Sequence, residues 1–206
     1  MERILDVSLE LFMKKGYENT SVKEIVDNLG GLTKGAIYHH FKSKEEILYA
    51  VSEKIYESLK PKIGKIRKDK SLTGLEKLRK MFKASMETSY HEKMFAVTPM
   101  LLNNPNLLAI QLKEIVESMV PEYIQPVIED GILDGSIKTE YPKELGEVIM
   151  LLCNIWLNPL VYSVSKEEML NKIKFYDVIL KGIGINILDN DMYNKIMNSR
   201  NLIEDK

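Results

Sequence analysis

The sequence predicts an all-α protein of about nine to ten helices, a three-helix N-terminal head with a helix-turn-helix followed by a larger C-terminal helical body. Three observations predict it. No sustained apolar–polar alternation bounded by hairpin turns runs through the chain, so strand signals are weak. The pattern Ser/Thr-x-x-Glu opens four apolar-periodic stretches, from Ser21 to Glu24, Ser43 to Glu46, Thr73 to Glu76 and Ser165 to Glu168. In such a capping box the hydroxyl accepts from the N3 amide and the Glu reaches back to the cap amide. Finally, residues 20–41 hold two short helical stretches joined by Gly30-Gly31, the form of a helix-turn-helix.

The elements follow in order. Ile4, Leu5, Ser8, Leu9, Leu11 and Phe12 recur at helical spacing over 2–15, and Gly16 stops that helix. Ser21 opens a helix over 21–29, Thr33 one over 33–40 and Ser43 one over 43–60. Thr73 opens 73–90, and a further helix is expected over 92–102. The long element 106–134 contains Pro121 and Pro126, which are expected to kink or split it. Proline removes a helical donor and clashes with the preceding turn. Pro142 suits a helix start and opens 142–163, which Pro159 is expected to bend near its end. Ser165 opens 165–188, and a short tail helix is expected over 190–202.

Composition bounds the function. The chain has 206 residues, 45% hydrophobic and 29% charged, the balance of a soluble globular protein with a sizeable core. Its 29 Lys and Arg against 30 Asp and Glu leave a net charge of −1, which excludes a polycation that coats nucleic acid. The charge is uneven. Residues 61–83 carry nine basic and two acidic side chains, and 84–206 carry eleven and eighteen. The basic run from Lys62 to Lys83 reads either as a solvated connector or as a surface leaning toward a polyanion. The lone Cys153 excludes an internal disulfide framework and a Cys-rich zinc site, and suits a reducing cytoplasm. Asp6 and Glu10 interrupt any signal-peptide-like apolar run. From Val148 to Ser165 there are 18 residues without a charge, near the lower limit for a spanning helix. Asn154, Asn158, Pro159 and Ser163 interrupt that stretch, so it is read as a helix buried in a protein or dimer, with no membrane span. No nucleophile elbow, P-loop, Rossmann glycine pattern or metal-ligand spacing is present, so no catalysis, metal or cofactor is expected, and Cys153 reads as an inert core thiol.

The chemistry concentrates in the second helix of the helix-turn-helix, which in this motif enters the major groove. Thr33 is placed to cap the helix and donate to a phosphate. Lys34 can reach a phosphate or the acceptor edge of guanine. Gly35 and Ala36 are small and let the helix N-terminus approach the backbone. Tyr38, His39 and His40 carry donors, while Ile37 and Phe41, four apart, are expected to face the core. Adjacent helical residues diverge by about 100°, so His39 and His40 do not make a metal pair.

The ordered residues Ile4-Leu5, Leu11-Phe12, Gly16-Tyr17, Thr20-Ser21-Val22, Ile25, Gly31-Leu32-Thr33, Gly35, Ile37-Tyr38, His40-Phe41, Ser43-Lys44-Glu45 and Leu48 resemble the DNA-binding head of the TetR family of bacterial transcriptional repressors. The resemblance covers residues 1–60, under a third of the chain. It implies contacts to bases or nearby phosphates from Thr33, Lys34, Ala36 and His39, backbone clamps from Tyr38, His40 and Lys44, and phosphate contacts from Thr20 and Ser21. Two departures stand out. An extra residue lies between Ile25 and Leu32, where Gly30 and Gly31 are expected to alter the turn or lengthen the second helix. The chain also starts directly at its first helix, so minor-groove contacts from a basic arm are not expected.

The resemblance further implies a DNA-binding domain over 1–60 and a regulatory ligand-binding and dimerisation domain over 61–206. It implies a homodimer joined through the last two long helices, 142–163 and 165–188. The expected interface residues are Leu145, Ile149, Leu152, Trp156, Ile173, Tyr176, Gly182 and Ile183, with plain core as the alternative. Candidate lining for an effector pocket is Tyr90, Met94, Phe95, Met100, Leu101, Leu112, Met119, Trp156 and Tyr162, with ordinary packing as the alternative. Eleven methionines suit an adaptable apolar site. The function expected is a cytoplasmic repressor that binds palindromic double-stranded operator DNA and is released by a small apolar or amphipathic effector. Control by a protein partner in place of a ligand, and activation in place of repression, are the alternatives.

Overall fold

The computed structural model describes residues 1–31, 34–87, 93, 97, 105–158 and 164–199. Among these the regular structure is helical throughout: α1 (Glu2–Lys15), α2 (Val22–Asn28), α3 (Lys34–His40), α4 (Lys44–Lys68), α5 (Gly74–Ser85), α6 (Pro105–Glu114), α7 (Gln125–Asp134), α8 (Pro142–Leu151), α9 (Lys166–Gly182) and α10 (Asn190–Ser199). Two π-helical segments, Ile115–Ile124 and Leu152–Trp156, continue α6 and α8. The expected helix 92–102, apart from helical Lys93 and Val97, lies outside the described residues, as do Pro159 and the last residues of the 73–90 and 190–202 helices. No helix among the described residues is long and apolar enough to cross a membrane.

Local chemistry explains most of the starts. Capping boxes form in both halves at Ser21/Glu24, Thr73/Glu76 and Ser165/Glu168. At the fourth, the Glu46 amide donates to Ser43 Oγ at 3.3 Å, but the Glu46 carboxylate turns to the Lys42 amide at 2.7 Å.

Several boundaries differ from expectation; α5 ends at Ser85 instead of near 90, and the helix from Pro142 ends at Trp156 instead of near 163. α4 continues through Pro61 to Lys68 instead of ending at 60. Ile63 and Ile66 pack on a hydrophobic core there, and that burial offsets the donor lost at Pro61. Lys62, Lys65, Arg67 and Lys68 thereby stand outward on a helix. The 106–134 element stays continuous, with Pro121 inside the first π segment and Pro126 in the first turn of α7. A change of helical register accommodates the prolines where a break was the alternative. α9 ends at Gly182, not near 188. Gly184 turns left-handed at φ 80°, and Ile185, Ile187 and Leu188 are buried from non-helical chain.

The chain forms two compact units, one containing Met1–Lys60 and the other Pro61–Glu87 with Ala109 onward. In the first, Ile4, Leu5, Phe12, Ile25, Leu29, Ile37, Phe41, Ile47, Leu48 and Val51 make the core, with Val97 buried against them. In the second, Leu78 and Met81 of α5, Val127 and Ile128 of α7, Leu145 and Ile149 of α8, Ile173, Tyr176 and Leu180 of α9 and Met192 of α10 share one core. α5 and α7 touch backbone to backbone, since a Cβ built on Gly74 would stand 2.2 Å from the Gly131 nitrogen. The first-turn amides of α5, orphaned by helix geometry, find side chains here. Gly74 N–H donates to Asp134 Oδ2 at 2.7 Å and Leu75 N–H to Ser136 Oγ at 3.1 Å. The buried Lys77 ammonium meets Asp130 Oδ2 at 2.6 Å.

Of the residues expected at an interface, Leu145, Ile149, Ile173 and Tyr176 are buried within the chain's own core, the plain-core alternative for these four. Leu152 and Trp156 are half-buried against the same core, and Gly182 and Ile183 are exposed. Apolar periodicity marks a face that is covered without stating what covers it. Cys153 packs here too. Its Sγ lies 2.9 Å from Tyr176 Oη, and burial pushes the thiol up to about 12, so it stays protonated at neutral pH.

Candidate nucleic-acid interface

The head is built so that short helices meet at well-anchored turns. α1 stops at Gly16, whose φ of 81° only glycine adopts readily. Tyr17 then turns inward and its ring meets Phe12 edge-on at 5.3 Å. Ser21 caps α2. The Glu24 carboxylate accepts the Ser21 amide at 2.8 Å and the Lys15 ammonium at 2.5 Å. The Lys15 hydrogen bond first, and the Ser21 amide and hydroxyl after it, lower the Glu24 pKa to about 2.

Between α2 and α3 the chain turns through two left-handed glycines, Gly30 at φ 62° and Gly31 at φ 114°. The extra residue is therefore absorbed in the turn, and α2 is not lengthened past Asn28. The Arg3 guanidinium comes within 3.4 Å of where a Gly30 Cβ would stand, beside this turn. Sequence reading missed that neighbour, because nothing in local spacing links the first turn of α1 to residue 30.

α3 has one buried side and one open side. Ile37 and the following Phe41 are buried, as their spacing predicts. Gly35, Tyr38, His39 and His40 are exposed and Ala36 is half-buried. The two imidazoles meet edge-on at 5.3 Å between centroids. Lys34 begins the helix, while its side chain and Thr33 lie outside the described residues. Among the described residues no group of three His, Cys, Asp or Glu side chains is placed to hold a metal ion.

Two residues proposed for phosphate contact are engaged by the protein itself. Thr20 is 1% exposed, and its hydroxyl donates to the Gly16 carbonyl at 2.8 Å. That hydroxyl is turned away from the surface, a correction to its expected role. The Lys44 ammonium donates to the Tyr17 and Thr20 carbonyls, each at 3.0 Å, and lies 4.0 Å from the Tyr17 ring centroid. Ser21 remains on the surface.

In the body, Leu112, Met119 and Trp156 of the expected pocket lining are half-buried, and Tyr90, Met94, Phe95, Met100, Leu101 and Tyr162 lie outside the described residues. The Lys172 ammonium donates to the Trp156 carbonyl at 3.2 Å and lies 5.3 Å from the indole centroid. Phe175 meets that indole edge-on at 6.2 Å. α9 also carries exposed apolar side chains among its charged ones. Phe175 is 57% and Val178 62% exposed, and Ile183, just past the helix, and Val148 on α8 are exposed as well. Sequence reading passed over Phe175 and Val178, although their spacing to Gly182 was visible there.

Comparison with known proteins bears on the same residues. Residues 4–51, which span α1 to the first turns of α4, match the family model of bacterial regulatory proteins of the tetR family. The transcriptional repressor KstR2 of Rhodococcus jostii is 30% identical over 149 residues, 69% of this chain and 70% of that protein. The uncharacterised transcriptional regulator YhgD of Bacillus subtilis is 26% identical over 193 residues, 89% of this chain and 96% of its own length. Among solved structures, a transcriptional regulator of Cytophaga hutchinsonii superposes with a TM-score of 0.63 at 19% identity, covering 98% of this chain and 92% of that one. The fold, the helix-turn-helix and these relatives agree, and the chain belongs to the TetR family of bacterial transcriptional regulators.

Proposed function

We propose that the chain is a dimeric cytoplasmic repressor that reads a palindromic double-stranded operator and leaves it on binding a small apolar or amphipathic effector. The observation that carries this reading is α3, which buries Ile37 and Phe41 and turns Gly35, Tyr38, His39 and His40 outward together. Such a helix suits the major groove, with Lys34 and His39 toward base edges and Tyr38, His40 and Ser21 toward phosphates. Residues 1–60 serve as the DNA-binding domain and 61–206 as the regulatory domain. Exposed Phe175, Val178 and Gly182 of α9 and Ile183 just past its end, with half-buried Ile179 and exposed Val148 of α8, serve as the face where two copies meet, and from Phe175 to Ile183 they recur at i, i+3, i+4, i+7 and i+8. A two-fold dimer of this kind reads half-sites about 34–36 Å apart. Half-buried Leu112, Met119 and Trp156 support an apolar effector site in the body. An effector releases DNA only as far as it prefers the unbound state. Repression is supported by the similarity to KstR2, a transcriptional repressor.

The test is fluorescence anisotropy with duplexes tiled across the promoter upstream of the chain's own gene, against scrambled duplexes of equal length. One duplex should bind at least about a thousandfold tighter than its scramble, with affinity falling as salt rises. Equal affinity for both would overturn the reading.

A further inference from the structure

We propose that Gln111 is the polar contact of the effector site, and that the effector it receives is a neutral amphiphile, an apolar body carrying one hydroxyl donor. The proposal rests on the effector-responsive function proposed above and names the chemistry of its ligand. Gln111 lies in α6, where Lys113 and Glu114 are exposed, as is Glu117 in the π-helical segment that follows. Ile115 is 2% exposed. A residue four before it shares its side of the helix. Gln111 therefore stands in the inward stripe with half-buried Leu112 and buried Ile115, where an apolar residue would complete the pattern. Its Oε1 is buried and, among the described residues, meets no hydrogen-bond donor. Buried polar groups of native proteins are hydrogen-bonded, and an unpaired acceptor costs free energy, so this oxygen calls for a donor from outside the chain. Asp177 also has one buried oxygen without a partner, but its other oxygen holds the Lys181 ammonium at 2.6 Å.

The place agrees with the chemistry. Leu112 follows Gln111 directly, and half-buried Met119 lies in the π-helical segment Ile115–Ile124, a geometry that recurs at functional sites. Farther along that segment the chain fills its own space. A Cβ at Gly146 of α8 would stand 3.0 Å from Val120 Cγ1 and 3.4 Å from Ile124 Cγ2. The unanswered polar atom is at the other end. The class of ligand follows from the acceptor. An amide oxygen is neutral, and the charges of this element pair outward, with the Lys113 ammonium 3.6 Å from the exposed Glu117 carboxylate. Burying an ammonium against a neutral oxygen alone is expensive. A carboxylate or an ether brings no donor, whereas a hydroxyl donates without a charge.

Calorimetric titration of the full chain with 1-decanol, 1-methoxydecane and decylamine tests the proposal, with operator affinity measured alongside. Wild type should bind 1-decanol about tenfold tighter than 1-methoxydecane, the size of one hydrogen bond. Gln111→Met keeps the length and removes the amide. It should bind the alcohol and the ether equally, and its ligand-free Tm should match or exceed that of wild type, because an unpaired acceptor is gone. Gln111→Glu supplies a carboxylate that balances an ammonium, and should bind decylamine at least about tenfold tighter than wild type does. Equal wild-type affinity for alcohol and ether would mean that solvent answers the oxygen, and overturns the proposal, as does a wild type that binds neither. A preference for the alcohol that survives Gln111→Met would put the contact elsewhere and overturn it too. A lowered Tm in ligand-free Gln111→Met would give the amide a structural partner, with the same result, and so would a Gln111→Glu no better for decylamine. If 1-decanol binds through Gln111 and operator affinity does not change, the effector-release reading falls while the Gln111 contact stands.

Discussion

α3 and α9 each carry an open side beside a buried one, but they are made differently. α3 spends two apolar residues, Ile37 and nearby Phe41, on the head's core and keeps polar or small side chains outside. α9 is apolar on two sides. Ile173, Tyr176 and Leu180 are fully buried within the chain, while Phe175, Val178 and Ile183 are open. In the first helix polarity separates the core from the open side. In the second it does not, and only the three-dimensional packing tells the two stripes apart. The largest effects expected lie in α9. Ile173→Ala should cost about 2–5 kcal/mol of stability by leaving a cavity, read as a lowered Tm. Phe175→Glu with Val178→Glu should instead produce monomers in sedimentation and weaken operator binding by at least about a hundredfold, because paired half-sites are no longer linked. A double variant that stays dimeric would break the distinction between the two stripes.

The same contrast explains what the sequence made legible. The capping boxes at Ser21, Thr73 and Ser165, the stop at Gly16 and the inward pair Ile37 and Phe41 depend on residues within about one turn, so local rules reach them. The passage of α4 through Pro61 and the end of α9 at Gly182 depend on what Ile63, Ile66, Ile185 and Ile187 bury against, which lies far along the chain. Thr20 shows the limit within the head. A hydroxyl at a helix entry reads as surface, yet it answers the Gly16 carbonyl left without a helical partner where α1 ends. Lys44 is the same case, with both carbonyl partners more than twenty residues away.

Two glycines sharpen the comparison between units. Gly74 in the body is required for space, because a Cβ there meets Gly131 backbone atoms at 2.2 and 2.3 Å. Gly31 in the head is required for conformation, with φ at 114° and no atom of the described residues within 4 Å of where its Cβ would stand. Gly74→Ala should push α5 from α7, stretch the Gly74 amide from Asp134 and cost about 1–3 kcal/mol or somewhat more. Gly31→Ala should cost about 1–2 kcal/mol through backbone strain alone, and change operator affinity more than Tm because it reorients α3. Urea titrations give both values. A larger loss for Gly31→Ala than for Gly74→Ala would mean that conformation outweighs space in these two glycines.

The smallest effect separates the Ser21 capping box of the head from the Thr73 box of the body. Glu24 in the head owes its lowered pKa of about 2 first to Lys15, whereas Glu76 in the body is lowered first by the Thr73 amide. The unfolded Glu24 titrates near 4.5, so between about pH 4.5 and 2 the unfolded chain binds more protons than the folded one. Stability from this group is thus complete above about pH 4.5 and is lost as pH falls toward 2. Glu24→Gln should remove that part of the acid-side decline in Tm, and its curve should meet the wild-type curve near pH 2. Because the pair with Lys15 is exposed, raising the salt to about 1 M should shrink the difference. Glu76→Gln should show an acid-side difference that salt changes little, since its leading partner is a backbone amide. Equal salt sensitivity in the two variants would mean that Lys15 adds nothing to the head's box.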